Sequence, residues 1–158
     1  MSTSSQPEPT LADAEEITTA VIRGVVDMGE LAAFFDASFS RLAPAITAQG
    51  VAIVGPAFAL YHGPPGAVAD LEVGFPTAGT VEADGDMVAS RLPGGRVAAL
   101  VHEGSFDQLG SSWRRLAAWI AEAGLRPGDD LWEVYVTEPS PDMDPADLRT
   151  ELHWPVTG

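Results

Sequence analysis

The residue hardest to explain as ordinary packing is Glu133, the single carboxylate inside the apolar stretch LWEVYV at residues 131–136. An ionised carboxylate that leaves water costs several kcal/mol unless a partner compensates it. A structural partner, water or a ligand must therefore face this acid. Arg149 is one structural candidate, and solvent is another.

Alternation along a strand assigns Glu133 to one face of a sheet. Leu131, Glu133 and Tyr135 share a face, whereas Trp132 and Val134 share the other. Helices need an apolar sheet face to pack on, and the Trp132 face offers one. We therefore expect Glu133 to point away from the helices, and Trp132, together with Phe58 on another strand, to pack against them.

The same alternation predicts a groove lined by aromatic side chains around the acid. Aromatic faces attract cations by roughly 0.5 to 2 kcal/mol each, and a carboxylate supplies the counter-charge. The alternative is that these rings form a second core and that the acid reaches solvent. The predicted ligand-binding residues are Glu133, Tyr135, Tyr61, Trp154, Phe75 and Leu152.

Other chemistries have weaker support in the sequence. His102, Ser105 and Asp107 lie close together, but a strand-to-helix junction does not by itself aim all three into a catalytic triad, and Ser105 suits a helix N-cap. The three histidines are widely spaced and form no HxxxH or HxH pair, so no metal site is predicted. The chain has neither a GxxxxGK phosphate loop nor any lysine, and no cofactor is predicted.

Composition limits the class of protein. The 158 residues suffice for one domain with its own core, and the absence of cysteine excludes disulfides and thiolate metal sites. With 23 acidic and 8 basic residues, the formal charge of −15 disfavours direct binding to nucleic acid or anionic membranes and favours cations. No signal peptide or spanning segment is evident, so we expect a cytoplasmic location.

The predicted elements follow a β-α-β-β order that occurs twice. Residues 1–14 are polar and Pro-rich, and are predicted to be a disordered leader. Asp27 with Glu30, and later SFDQ at 105–108, have N-cap spacing, and glycines follow both predicted helix ends. The predicted strands are 15–26, 51–61, 68–76, a hairpin over 86–104 turned at Pro93 to Gly95, 130–137 and 148–155, with helices ending at Gln49 and Ala123.

Matching letters indicate an internal duplication. FDASFSRLAPAITAQG at 35–50 matches LGSSWRRLAAWIAEAG at 109–124, and the same offset aligns AFALY at 57–61 with LWEVY at 131–135. An offset that is five residues longer aligns EVGFP at 72–76 with ELHWP at 151–155. Three matches in register favour a repeat. Ala59 is the counterpart of Glu133, so only one half carries the acid.

Several segments together resemble the GyrI-like effector-binding domain, which also forms the ligand-sensing half of AraC-type and MerR-type multidrug regulators. They are GPAFALYHG, LPGGRVAALVHEGSFDQLGSSWRRLAAWI, WEVYVTEP and DLRTELHWPV, and the resemblance covers about residues 16–156. It implies an α+β fold in which duplicated β-α-β-β units form a curved antiparallel sheet. Two helices would lie on one face and the ligand groove on the other, with Glu133 as counter-charge for hydrophobic, often cationic compounds.

The resemblance leaves two functions open. Regulators of this family carry a helix-turn-helix domain ahead of the sensing domain, whereas only a short polar leader precedes it here. We therefore expect a stand-alone sensor or sequestering protein for hydrophobic or cationic small molecules, or a transcription co-regulator without its own DNA-binding domain. Which protein partner, if any, reads the bound state is left open by the sequence. The alternative is a hydrolase that opens strained, cyclopropane-containing genotoxic compounds, with Glu133 as the acid or base.

Overall fold

The fold consists of a curved antiparallel sheet and two helices. The computed structural model describes residues 8–63, 66–105, 108–137 and 144–158. Within those ranges the strands are β1 (Thr10–Ala14), β2 (Ile17–Asp27), β3 (Phe58–His62), β4 (Val68–Pro76), β5 (Met87–Leu92), β6 (Gly95–Glu103), β7 (Arg126–Pro127), β8 (Asp130–Tyr135) and β9 (Arg149–Thr157). The helices are α1 (Leu31–Ala48) and α2 (Leu109–Glu122). None of the helices in these ranges is long and apolar enough to cross a bilayer.

The sheet is built from two equivalent halves. Its strand order is β1-β6-β9-β8-β3-β4-β2-β5, all pairs are antiparallel, and β7 adds to β9. The first repeat is β2-α1-β3-β4 and the second is β6-α2-β8-β9. The halves meet where β3 pairs with β8. The predicted α+β class with duplicated β-α-β-β units is confirmed.

The strand registers reproduce the alignment of the repeats. Phe58 pairs with Gly74 in the first repeat, and Trp132 pairs with His153 in the second. From 58 to 132 the offset is 74 residues, and from 74 to 153 it is 79 residues. These are the two offsets at which the letters match, so hydrogen-bond geometry and sequence identify the same equivalences.

One pair of residues lies at the centre of this arrangement. Ala59 and Glu133 face each other in the β3–β8 pair. They are also the equivalent residues of the two repeats. A local twofold relation between the halves must therefore pass between these two residues, and the acid lies at the centre of the molecule.

Two segments, β1–β2 and β5–β6, pair with each other and contain the two end strands of the sheet, β1 and β5. β1 and β2 together run antiparallel to β5 and β6 in one uninterrupted register, from Thr10 opposite Ala99 to Ile22 opposite Met87. The predicted hairpin is therefore wrong: β5 and β6 pair with other strands, and Pro93 and Gly94 bend the chain without reversing it. A Cβ at Gly94 would lie 2.8 Å from the backbone nitrogen of Glu16, so the crossing segments need glycine there.

The predicted disordered leader is too long. Thr10–Ala14 forms β1 on the edge of β6, whereas residues 1–7 lie outside the described residues. The segment buries little, since its burial pattern is mostly exposed. Backbone pairing with β6 orders it, a contact that composition does not reveal.

The assignment of the helices to the Trp132 face is also wrong. Leu42 and Ile46 of α1 pack in one cluster with Leu116 and Ile120 of α2, and this cluster includes the sheet residues Ala59, Leu131 and Leu152. The helices thus cover the Glu133 face. Phe58 and Trp132 are buried in a separate cluster on the opposite face, together with Val21, Leu60, Leu92 and Val97. Because the curved sheet buries both faces, apolar content could not indicate which face the helices cover.

The C-terminal ends of the helices agree with the prediction better than the N-terminal ends do. Gly50 and Gly124 follow α1 and α2 with φ of 74° and 76°, a conformation that favours glycine. Asp27 makes no side-chain cap hydrogen bond, because a 3-10 turn at Met28–Glu30 separates it from α1. Phe106 and Asp107 of the second predicted capping segment lie outside the described residues.

Candidate functional site

Glu133 is held by neutral donors from the second repeat. The indole Nε1–H of Trp113, on α2, donates to Glu133 Oε1 at 2.9 Å. The hydroxyl of Tyr135, two residues further along β8, donates to Oε2 at 2.7 Å. Glu133 is only 6% exposed. Each carboxylate oxygen therefore accepts a hydrogen bond from a neutral donor.

The environment of Glu133 favours its protonated form. Burial raises the pKa of the Glu133 carboxyl above its usual value, and the hydrogen bonds from Trp113 and Tyr135 and the charge of His102 only partly offset this. Burial, followed by the nearby charge of Glu133, also raises the pKa of Tyr61 and of Tyr135. The site therefore disfavours the ionised forms of Glu133, Tyr61 and Tyr135.

Aromatic rings from both helices and three strands lie around the acid. The rings of Trp113 and Trp154 meet edge to face, with centroids 5.7 Å apart. The ring of Phe35 on α1 lies 6.2 Å from that of Tyr135. Phe39 stands edge-on to Phe75 at 5.6 Å. These rings form what we call the aromatic cluster: Phe35, Phe39, Phe75, Trp113, Tyr135 and Trp154.

The structure brings the six predicted site residues together on one sheet face. Tyr61, Leu152 and Trp154 belong to the buried core beneath the helices, and Phe75 and Tyr135 pack against it. Leu152 faces Glu133 across the β8–β9 pair. Whether these residues contact a ligand stays a prediction. The predicted groove opposite the helices is therefore wrong, because Glu133 and the aromatic rings lie beneath α1 and α2.

Arg149 is not the partner of Glu133. Its Nη2 lies 3.4 Å from Glu103 Oε1, and its Nη1 donates to the backbone oxygens of Asp147 and Leu148. Within the described residues no arginine or histidine nitrogen lies within 4.0 Å of the carboxylate of Glu133. The acid is thus buried without an ion-pair partner there.

A polar group lies beside the aromatic cluster at the α2 end. His102 is 3% exposed; its Nδ1 lies 2.7 Å from Ser112 Oγ, and its Nε2 lies 2.8 Å from the backbone oxygen of Ser105. Ser105 meets His102 through its carbonyl oxygen, which is not the contact a triad uses. Asp107 lies outside the described residues. These contacts with Ser112 and Ser105 are typical of a structural histidine, and its charge acts on Glu133.

A second ionisable cluster lies on the face without helices. His62 Nε2 lies 2.8 Å from Glu72 Oε2, and His62 Nδ1 lies 3.1 Å from Asp130 Oδ1. Burial lowers the pKa of His62, but the bond to Asp130 and the charges of Glu72 and Asp130 outweigh burial and raise it. Within the described ranges no three His, Asp or Glu side chains could hold a metal ion.

Sequence reasoning missed the helix residues of the site. Trp113 supplies a hydrogen bond to Glu133, and Phe35 and Phe39 supply rings from α1. One signal for them was available, because the repeat alignment pairs Phe39 with Trp113 as matched aromatics. With the helices assigned to the wrong face, that signal could not be connected to the acid.

The chain belongs to the GyrI-like small molecule binding domain family, whose model matches residues 7–157. No curated protein is similar enough to count as a relative. The buried acid among aromatic rings is therefore the candidate small-molecule site of a member of this family.

Solved structures show the same fold at low sequence identity. The C-terminal domain of EcmrR superposes with a TM-score of 0.84 at 18% identity, over 96% of this chain and 98% of that one. A hydrolase encoded by lin2189 from Listeria innocua gives 0.69 at 15%, over 95% and 92%. SAV2435 bound to tetraphenylphosphonium gives 0.67 at 13%, over 96% and 94%.

Proposed function

We propose that this chain binds lipophilic cations between α1 and α2, with Glu133 as the counter-charge and the aromatic cluster as the wall. The observation that carries the proposal is the buried carboxylate that accepts hydrogen bonds from two neutral donors, Trp113 and Tyr135. Neutral donors stabilise the acid's charge less than a cation would. A cation among aromatic faces compensates the charge and gains cation–π attraction.

Access to the acid requires a side chain to move. Glu133 is 6% exposed, and the half-buried Trp113 covers Oε1 and contacts Trp154. We expect Trp113 to leave this position when a cation enters, since the indole N–H cannot share the same oxygen with a bulky ligand. Binding would then change tryptophan fluorescence, and recovery of the free emission would follow ligand release.

Two further features support a cationic ligand. The formal charge of −15 raises the local concentration of cations around the chain. SAV2435, which shares the fold, is a protein solved with tetraphenylphosphonium bound. Binding without turnover would make this chain a sensor or a sequestering protein for such compounds.

The test is a titration with tetraphenylphosphonium, followed by tryptophan fluorescence and calorimetry. Glu133→Gln should weaken binding by about 1 to 3 kcal/mol, which is roughly 5- to 150-fold in Kd. Glu151→Gln is the matched control, because Glu151 is a half-exposed acid on the neighbouring strand that points to the other face. Equal losses in the two variants would reduce the effect to net charge and contradict the proposal.

A second candidate function rests on the raised pKa of Glu133. A carboxyl whose pKa is raised by burial holds its proton more tightly and can act as a general acid toward a strained electrophile. The test is to incubate the protein with cyclopropane-containing electrophiles and follow substrate and product by mass spectrometry. Repeated turnover that disappears in Glu133→Gln would favour the hydrolase, whereas recovery of every compound unchanged favours binding.

A further inference from the structure

One buried hydroxyl near Glu133 has no hydrogen-bond partner among the described residues. Thr150 is fully buried on β9, and its Oγ1 meets no donor or acceptor among the residues the structure describes. An unsatisfied buried polar group costs about 1 to 3 kcal/mol, and such groups are rare in native proteins. A hydroxyl retained at this cost needs a partner that the chain itself does not supply there.

The position of Thr150 indicates where that partner would come from. Alternation along β9 puts Thr150 on the same face as Leu152 and Trp154, beneath the helices. Its neighbours across the strands are Tyr135 on β8 and His102 on β6. Tyr135 binds Glu133. The unpartnered hydroxyl is thus beside the residues that surround the acid.

In the first repeat, the position equivalent to Thr150 is occupied by the apolar residue Leu71. Leu71 lies between Gly24 and Tyr61 across its strands, as Thr150 lies between His102 and Tyr135. The ring of Phe34 fills the space above Gly24, where a Cβ would come within 2.6 Å of it. Leu71 and Phe34 thus make the first repeat apolar at the place where the second repeat has Thr150 and His102.

We infer that Thr150 is a specificity residue of the cation site, and that it hydrogen-bonds a hydroxyl or carbonyl group carried by the ligand. A threonine hydroxyl both donates and accepts, so either group satisfies it. Leu152 is the strand partner of Glu133, and Thr150 lies two residues away from it along β9. Two residues of strand span roughly 7 Å. The preferred ligand is a lipophilic cation whose polar substituent lies at about that distance from the charge.

This inference rests on the proposed cation site, and its test separates the two. The probes are (4-methylphenyl)triphenylphosphonium and [4-(hydroxymethyl)phenyl]triphenylphosphonium, which have the same charge and nearly the same shape and differ by one hydroxyl. The parent protein should bind the hydroxymethyl compound about 5- to 10-fold more tightly, the worth of roughly one hydrogen bond. Thr150→Val should abolish that preference and leave the Kd of the methyl compound unchanged.

The chain offers a matched control for this substitution. Thr19 is the other fully buried threonine without a partner among the described residues, but it alternates with Ala20 and Ile22 and so faces away from the helices. Thr19→Val should keep the full preference for the hydroxymethyl compound. Thermal unfolding of Thr150→Val should show no loss of stability, because the substitution removes an unsatisfied group.

The outcomes are distinct. A parent protein that binds both phosphonium compounds equally would overturn the role of Thr150 and leave the cation site intact. Equal weakening of both compounds by Thr150→Val would also overturn it, since that pattern belongs to a packing residue. If neither compound binds the parent, the proposed function fails and this inference fails with it.

Discussion

The two repeats share a backbone and differ in the side chains they place beneath the helices. Phe58 and Trp132 are equivalent, and both are buried on the face without helices. Around the central strand pair the equivalences diverge, and the differing pairs are Ala59 with Glu133, Phe39 with Trp113 and Leu71 with Thr150. Phe58 and Trp132 stabilise the sheet on the face without helices, whereas the three differing pairs lie on the face that holds the candidate site. Stability and ligand binding should therefore respond to different substitutions.

The largest expected effect comes from the buried aromatic residues on the face without helices. Phe58→Ala and Trp132→Ala should each cost about 3 to 5 kcal/mol of unfolding free energy, because each leaves a cavity in a buried cluster. Chemical denaturation measures both. Trp132 also stacks on His153 at 5.3 Å, so its loss should not be the smaller of the two. A stable Trp132→Ala protein that had lost cation binding would contradict the separation of the two faces.

Giving both repeats an acid should break the asymmetry at the centre. Ala59→Glu would place a second carboxylate opposite Glu133. Two buried like charges cannot both ionise cheaply, so we expect a loss of about 3 kcal/mol at neutral pH and a smaller loss in acid. Unfolding measured at both pH values tests this. Combining the change with Glu133→Ala should restore stability in part, and no restoration would mean that size, not charge, causes the loss.

Replacing the α2 tryptophan by the residue type of its counterpart on α1 should remove a hydrogen bond to Glu133 and lower stability. Trp113→Phe gives α2 the residue type of its counterpart Phe39 and removes the donor to Glu133 Oε1. A hydrogen bond to a charged group contributes about 1.5 to 3 kcal/mol, so stability should fall by about 2 kcal/mol above the pKa of the acid. Below that pKa the loss should shrink. A loss that does not vary with pH would assign Trp113 to packing alone.

The smallest effect is a dependence of cation affinity on pH. Burial raises the pKa of Glu133, and a cation needs the ionised carboxylate. Affinity for tetraphenylphosphonium should therefore rise with pH above the usual carboxyl value of 4.5, by at most about tenfold per pH unit, and then level off. Stability without ligand should fall over the same window, since the folded state holds the proton more tightly than the unfolded state. Glu133→Gln should flatten both curves.

Much of the fold followed from repeated letters and turn residues. The β-α-β-β order, the two offsets and the glycine ends of both helices were all present in the sequence. The strand β4 was predicted with its observed limits, and β3 was extended too far toward its start, because residues 51–57 form only an isolated bridge from Ile53 to Thr77. Local patterns sufficed wherever the structure is local.

The errors have a common physical origin in long-range pairing. Alternation identified the neighbours of Glu133 but not the side on which α1 and α2 lie, because curvature buries both faces of the sheet. The pairing of β1–β2 with β5–β6 joins residues 65 to 89 apart in sequence, from Ile22 with Met87 to Thr10 with Ala99, and local sequence patterns do not reveal it. Thr150 could not be found from the sequence, since an unsatisfied hydroxyl is defined by what surrounds it.

The meeting of Ala59 and Glu133 at the twofold relation has a consequence for how such a site can arise. In a symmetric dimer of single β-α-β-β chains, a residue on the axis faces its own copy across an isologous interface. Any acid there would be opposed by an identical acid, and any alanine by an alanine. Joining the two copies in one chain removes that constraint, because the two positions beside the axis can then carry different residues, as Ala59 and Glu133 do. A single charge at the centre is therefore possible only when both repeats belong to one chain, since a symmetric dimer of identical chains would have to carry the charge twice.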